Sequence, residues 1–361
     1  MDKIPSKASA GRVKRYTIMY EDKPVLEFDR ETEEAKVYDK EHLPFGLRNK
    51  ISAVAVFEWL SNRVDNLSRT YMNMVYIARK VGRDRDKIIK DSSGISFTDN
   101  FWIRTRDSVA GWSELKSLRD DNIALNNVAL TGEITNSEEL LKGFTSLFTT
   151  KGYFPKAVLG GYIYKLKKDA ILEYPAYLIG KQLGINVAEC ELEGEYVKIK
   201  IFTDNDTSLV HASELKVYFD TDDEIYNVLI GDEKFREIVR QLQRMYIFNY
   251  IIGNPDLHDD NYGLLYDSKT FEFKCVSPCY DHNVAFQEGF LGLSRTTMGN
   301  SASLPLDELC ERFIAEHKDI SEKLKKIELS EVKQYLSERQ YNELKDRIEN
   351  AVRWSERSKL S

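Results

Sequence analysis

Asn254-Pro255-Asp256-Leu257-His258-Asp259-Asp260-Asn261, NPDLHDDN, lies between an apolar, helix-patterned run that stops at Gly253 and a short strand-patterned run, YGLLYD. Its polar side chains therefore sit where a helix has just ended, and a fixed loop at that place aims several of them at one point. Asp256 and Asn261 are five residues apart, and Asp281, in SPCYDHNVAF, follows twenty residues beyond Asn261.

Downstream, YGLLYD, a turn at Ser268-Lys269 and FEFKCV read as a hairpin leading to Pro278 and Asp281. Upstream, Asp232 to Gly253 is the strongest helical pattern in the chain, with Phe235, Val239, Leu242, Met245, Tyr246, Asn249 and Ile252 on one side. Before it, AECELEGEYVKIKIF reads as a hairpin turning at Glu193-Gly194, its second strand placing Val197, Ile199 and Ile201 opposite Tyr196, Lys198, Lys200 and Phe202. The polar string TDNDTS then marks a hinge. AILEYPAYLIGKQLG reads as a helix closing on Gly184, with Pro175 straining its first turns. Ahead of it, Gly152, Pro155 and Gly160-Gly161 bracket two short strands, the second being Tyr162–Lys167. Alternation sets Ile163, Lys165 and Lys167 on one face, and by itself leaves open which lysine points inward.

The N-terminal part is different in kind. Residues 1–15 hold little to bury and read as a flexible tail. From Tyr16 short strands joined by turns suggest a small β-meander, and between Leu47 and Gly82 two apolar stripes at helical spacing predict two helices. The polar string TGEITNS near residues 131–137 is the expected boundary, with Asn136 or Ser137 capping a helix whose first turn holds Glu138 and Glu139. Asp107, Asp120 and Asp121 read as solvated surface. Beyond Pro305 the chain is helical and charged.

Composition narrows the class. At 361 residues the chain exceeds one small core, and 42% hydrophobic with 31% charged residues is ordinary for a soluble globular protein. No apolar run is long enough to span a bilayer, and the basic N-terminus has no apolar segment behind it, so the expected location is the cytoplasm and no membrane partner is expected. A net charge of −7 argues against coating a nucleic acid, and no direct nucleic-acid binding is expected. Cys190, Cys275, Cys279 and Cys310 are too few and scattered for a disulfide framework, and Cys275 with Cys279 lacks the further ligands a zinc site needs.

An Asp followed five residues later by an Asn is the interval of protein-kinase catalytic loops, the Asp serving the acceptor hydroxyl and the Asn a magnesium ion. Phosphoryl transfer from ATP needs one carboxylate near the acceptor, oxygen ligands for Mg²⁺, a cation on the phosphates and backbone donors over them. Asp256 supplies the first. Asn261 and Asp281 suit Mg²⁺, which takes carboxylate and carbonyl-type oxygens and keeps several waters. Lys165 or Lys167 supplies the cation, and the turn around Gly152 the donors. Singly, each has a plain alternative: Asp256 as a turn residue, His258 as a support bonding backbone carbonyls, and Asp259, Asp260 and Asp267 as solvated side chains. Their order and combination carry the functional reading.

Gly152 with Pro155-Lys156-Ala157, the strand IYKLKK, the segment LEYPAYLIGKQLGINVAECEL, the loop IGNPDLHDDNYGLL and SPCYDHNVAF together resemble the HipA family of serine/threonine kinases, whose D-x-H-x-x-N loop is similar to that of phosphoinositide lipid kinases. The resemblance spans roughly residues 145–300. It implies Asp256 as catalytic aspartate, Asn261 and Asp281 as magnesium ligands, and Lys165 rather than Lys167 on the ATP phosphates, with Glu173 and His258 in support. It further implies Gly152 and Lys156 in the phosphate loop, Lys200 and Phe202 at the adenine hinge, and Thr149 or Thr150 as an autophosphorylation site. The chain departs from the pattern in a glycine-poor phosphate loop, a hinge without an acidic residue before its aromatic, and no A-P-E segment after Asp281.

The expected architecture is α+β: a two-lobed protein-kinase-like fold, β-rich N-lobe (136–203) and helical C-lobe (204–361), preceded by a small α/β accessory domain (16–135). The expected activity is ATP- and Mg²⁺-dependent transfer to a Ser or Thr hydroxyl of a protein substrate, as the toxin of a toxin–antitoxin pair with a small antitoxin-like partner. A catalytically silent nucleotide-binding module, a lipid kinase, and a metal-dependent hydrolase built on Asp256, His258 and Asp281 are the alternatives.

Overall fold

Alternating burial along Arg15–Tyr20 (β1) and Lys23–Asp29 (β2) buries Tyr16, Ile18 and Phe28 on one side, and this apolar face is the inner side of the first sheet. The computed structural model describes residues 14–63, 69–106, 108, 110–118, 122–135, 138–149, 152–290 and 305–357. Most of the expected tail, Asp107, Asp120, Asp121, the cap candidates Asn136 and Ser137, and Thr150 lie outside the described residues. By its internal contacts the chain forms two compact units, Met1–Gly161 and Tyr162–Ser361.

In the first unit β3 (Glu34–Val37) completes the meander, and β4 (Phe101–Thr105) joins β1 from far along the chain, giving the antiparallel order β3-β2-β1-β4. The two apolar stripes become α2 (Ala53–Asn62) and α3 (Met72–Ala78), and the unit also holds α1 (Phe45–Arg48), α4 (Arg85–Ser92), α5 (Trp112–Leu118) and α6 (Ile123–Thr131), which no stripe announced. Ser52, Asp84 and Asn122 cap α2, α4 and α6 by accepting backbone N–H groups of their first turns. The helix expected after residue 137 is instead two short 3₁₀ turns, Glu138–Leu141 and Ser146–Thr149. Gly143 at φ +66° lies between them and breaks helical continuity. Strand β5 (Lys156–Leu159) ends the unit.

The second unit begins with β6 (Tyr162–Leu166), the turn α7 (Lys167–Ala170), α8 (Glu173–Leu183), β7 (Cys190–Glu193) and β8 (Tyr196–Lys200), with strand order β6-β8-β7. Ala170, Ala188, Cys190, Val197 and Ile199 form the core beneath this sheet. Pro175 does not strain α8 as expected. It is the third residue of the helix, and first-turn N–H groups have no intrahelical acceptor to lose. Gly184 closes α8 at φ +67°, as a C-terminal glycine does.

Next come β9 (Thr207–His211), α9 (Ala212–Phe219), α10 (Ile225–Leu229) and α11 (Arg236–Ile251), the last preceded by a 3₁₀ turn that Asp232 caps. Strands β10 (Gly263–Asp267) and β11 (Phe273–Val276) form the expected hairpin and add β9, in the order β11-β10-β9. Helices α12 (Leu306–Ile314), α13 (Lys318–Leu324), α14 (Ser330–Lys333) and α15 (Glu338–Arg357) complete the unit. All four cysteines are free thiols. No helix among the described residues is long and apolar enough to cross a membrane.

Gly263 lets β10 approach β9: a Cβ there would lie 2.1 Å from the Val210 carbonyl oxygen, which is backbone and cannot swing aside. Gly263→Ala is expected to lower unfolding free energy in urea by about 3 kcal/mol. Gly231→Ala, where a Cβ meets nothing within 4 Å, should change it by less than about 0.5 kcal/mol.

Candidate active site

Helix α11 delivers the loop. Gly253 adopts φ +57°, so the chain turns sharply, and the buried Asn254 side chain bonds back to the helix, Nδ2 donating to Asn249 Oδ1 at 2.8 Å. Asn254 Oδ1 accepts the Asp256 amide at 3.1 Å. Within the loop the His258 amide donates to Asp256 O at 3.0 Å and the Asn261 amide to His258 O at 2.8 Å. Asn261 Nδ2 donates to Asp256 O at 2.7 Å and to its Oδ2 at 3.2 Å. The five-residue interval is thus closed on itself, and it joins Asp256 to Asn261 while leaving the amide carbonyl of Asn261 as a hard oxygen donor.

His258 differs from expectation. Its Nδ1 accepts the Asp260 amide at 3.2 Å instead of donating to a carbonyl. That leaves the proton on Nε2, 3.8 Å from Asp256 Oδ1. Asp259 and Asp260 are not solvated either: Lys216 Nζ lies 2.7 Å from Asp259 Oδ2, and Ser213 Oγ donates to Asp260 Oδ1 at 2.6 Å. Asp267 caps its hairpin turn, accepting the Lys269 and Thr270 amides, which with Lys274 hold its carboxyl down at about 2.

Three other sequence positions converge. Lys165, 3% exposed, places Nζ 2.6 Å from Glu173 Oε1 at the start of α8 and 2.6 Å from Asp281 Oδ1. Lys167 instead opens α7, where β6 has ended. Burial works against the Lys165 charge, but the carboxylates of Asp281 and Glu173 outweigh it and raise its pKa. Glu173 uses its second oxygen to accept the amide of His282 at 2.9 Å. Asp281 itself adopts φ +62°, a left-handed conformation uncommon for a non-glycine residue.

The two clusters sense each other. Burial raises the pKa of Asp256, His258 opposes the rise, and the negative charge of Asp281 adds to it. Sequence reasoning missed His282, whose ring stands edge-on to Phe248 at 5.4 Å and whose burial favours the neutral form. Its one sequence signal was adjacency to Asp281. Lys200 is exposed and paired with Glu189 at 3.0 Å, while Phe202 packs against Tyr280 with ring centroids 5.5 Å apart. Gly152, the buried Lys156 and Thr149 belong to the first unit.

No curated protein matches the chain in sequence. A crystal structure of the Helicobacter pylori proinflammatory kinase CtkA is 19% identical, covering 56% of this chain and 92% of that one at a TM-score of 0.39. The Shewanella oneidensis MR-1 toxin–antitoxin HipA, solved with HipB and its operator DNA, is 13% identical, covering 95% of this chain and 97% of that one at a TM-score of 0.53. The HipA-like α+β fold therefore extends over nearly the whole chain. The sequence profile of the HipA-like C-terminal domain matches residues 148–353, more than half of the molecule, and the chain belongs to that family.

Proposed function

We propose that this protein is an ATP- and Mg²⁺-dependent kinase that phosphorylates Ser or Thr hydroxyls of a protein substrate. The observation that carries the reading is the Lys165 ammonium held 2.6 Å from both Glu173 and Asp281, in the same unit as the loop that joins Asp256 to Asn261. Kinases need a strand lysine fixed by a helix glutamate and a metal-binding aspartate beside it. In this reading residues 136–203 act as the N-lobe, 204–361 as the C-lobe and 16–135 as an accessory domain.

Each residue has a physical task. Lys165 binds the ATP phosphates, and Glu173 holds it extended. Asp256 orients the acceptor hydroxyl and takes its proton; burial, which raises its pKa, makes it a stronger base than a surface aspartate. The donor chemistry fits Mg²⁺: the Asp281 carboxylate and the Asn261 amide oxygen are hard ligands, and the Asn261 nitrogen is already spent on Asp256. Bound Mg²⁺ would neutralise charge on the phosphates. The backbone between Lys200 and Phe202 reads the base. The hydrolase alternative gives the Lys165 ion pairs with Glu173 and Asp281 no role.

The Shewanella HipA is found with HipB and operator DNA, and a small antitoxin-like partner is proposed for this chain by analogy. Thr149 is the proposed autophosphorylation site within the described residues. Its hydroxyl donates to Ser146 O at 2.8 Å and Ile95 O at 3.1 Å, so the turn must open before it can react.

With radiolabelled ATP and a lysate, Asp256→Asn should transfer phosphate at least ~100-fold more slowly than wild type while still binding ATP. Wild-type protein that binds ATP and transfers nothing would favour a silent nucleotide-binding module, and transfer to lipid alone a lipid kinase. Glu173→Ala, which removes one partner of a buried cation, should cost about 3 kcal/mol of stability in urea and raise the KM for ATP. Phosphosite mapping after incubation with Mg-ATP should find a phosphate within residues 146–150; active protein without one rules out self-modification.

A further inference from the structure

Asp259 and Asp260 occupy the span between Asp256 and Asn261, and the first turn of α9 grips both. The Ser213 amide donates to Asp259 O at 3.2 Å, Ser213 Oγ to Asp260 Oδ1 at 2.6 Å, and Lys216 Nζ lies 2.7 Å from Asp259 Oδ2. Tyr280, next to Asp281, donates its hydroxyl to Asp260 O at 3.1 Å. One residue past Asn261, Tyr262 accepts the Ala212 amide through its carbonyl at 3.0 Å and donates its hydroxyl to Glu224 Oε2 at 3.3 Å. Lys216 Nζ also lies 3.7 Å from Glu224 Oε1, a charge contact beyond hydrogen-bond reach.

Stability alone is a poor account of this cluster. Lys216, Glu224 and Asp259 are each largely buried, and desolvating three charges costs about what their mutual attraction returns. Burial pushes the Glu224 carboxyl up to about 7, a sign of how poorly its charge is solvated. What the arrangement does achieve is a fixed course for the four residues between Asp256 and Asn261. Loops of acidic residues in water have no such fixed course, and a displacement of about 1 Å at a reacting group costs about 100-fold in rate.

We infer that Ser213 and Lys216 are positioning residues: through Asp260 and Asp259 they clamp the loop so that Asp256 and Asn261 keep their mutual geometry. The inference rests on the phosphotransfer reading for its kinetic consequence, but its structural core can be measured separately. The variants are Ser213→Ala, which removes one hydroxyl, Lys216→Met, and Lys216→Arg, which keeps the charge.

Expected results are a kcat lowered about 10- to 100-fold in Lys216→Met and less in Ser213→Ala, a KM for ATP within about twofold of wild type because Lys165 is untouched, and partial recovery in Lys216→Arg. Hydrogen exchange at the amides of His258 and Asn261 should quicken in Ser213→Ala and Lys216→Met while the α11 amides keep wild-type protection. Folded variants with wild-type kcat and wild-type loop exchange overturn the clamp. Should Lys216→Met not fold, Ser213→Ala decides alone. Should the wild type transfer no phosphate, the phosphotransfer reading falls and the exchange measurement still decides the clamp.

Discussion

The Lys165 ammonium, buried beneath β6 and bound by Glu173 and Asp281, is the interaction on which the second unit depends. A buried cation without partners is held at a cost of several kcal/mol, so the strand, the start of α8 and the backbone at Asp281 are held together around one charge. Glu173 extends the link by accepting the His282 amide. One ammonium therefore fixes the relative placement of a strand, a helix and the segment that follows β11.

The same constraint shapes the electrostatics. One cation faces two carboxylates, and Asp256 adds a third acidic group whose pKa is raised by burial and further by Asp281. A surplus of negative charge with hard oxygen donors is the environment in which a divalent cation binds and neutralises. The left-handed backbone at Asp281 is consistent with a side chain held by its surroundings in place of its own conformational preference.

Much of this was legible from residue order. The Asp256–Asn261 interval, the apolar stripe of α11 with its glycine end, the β10–β11 hairpin and the alternation of β8 all follow from local rules of spacing and turn chemistry. What alternation could not do was separate Lys165 from Lys167, because both lie on one face of an extended strand. The chain settles this by ending β6 at Leu166 and coiling into α7. The addition of β4 to the meander, the breaking of residues 138–149 into 3₁₀ turns at Gly143, and the unstrained Pro175 depend on contacts or positions that a window of sequence does not contain.

Residue order is enough to say which side chains are available and on which elements: an Asp and an Asn five apart after a helix, a strand lysine upstream, an aspartate beyond a hairpin. Their neighbours come from packing. His258 accepts an amide where a carbonyl bond was expected, and Asp259 and Asp260 are gripped by α9 where solvent was expected. The physical reason is that hydrogen-bond partners of a loop come from elements distant in sequence. Residue type says only that a partner is needed; packing says which one arrives.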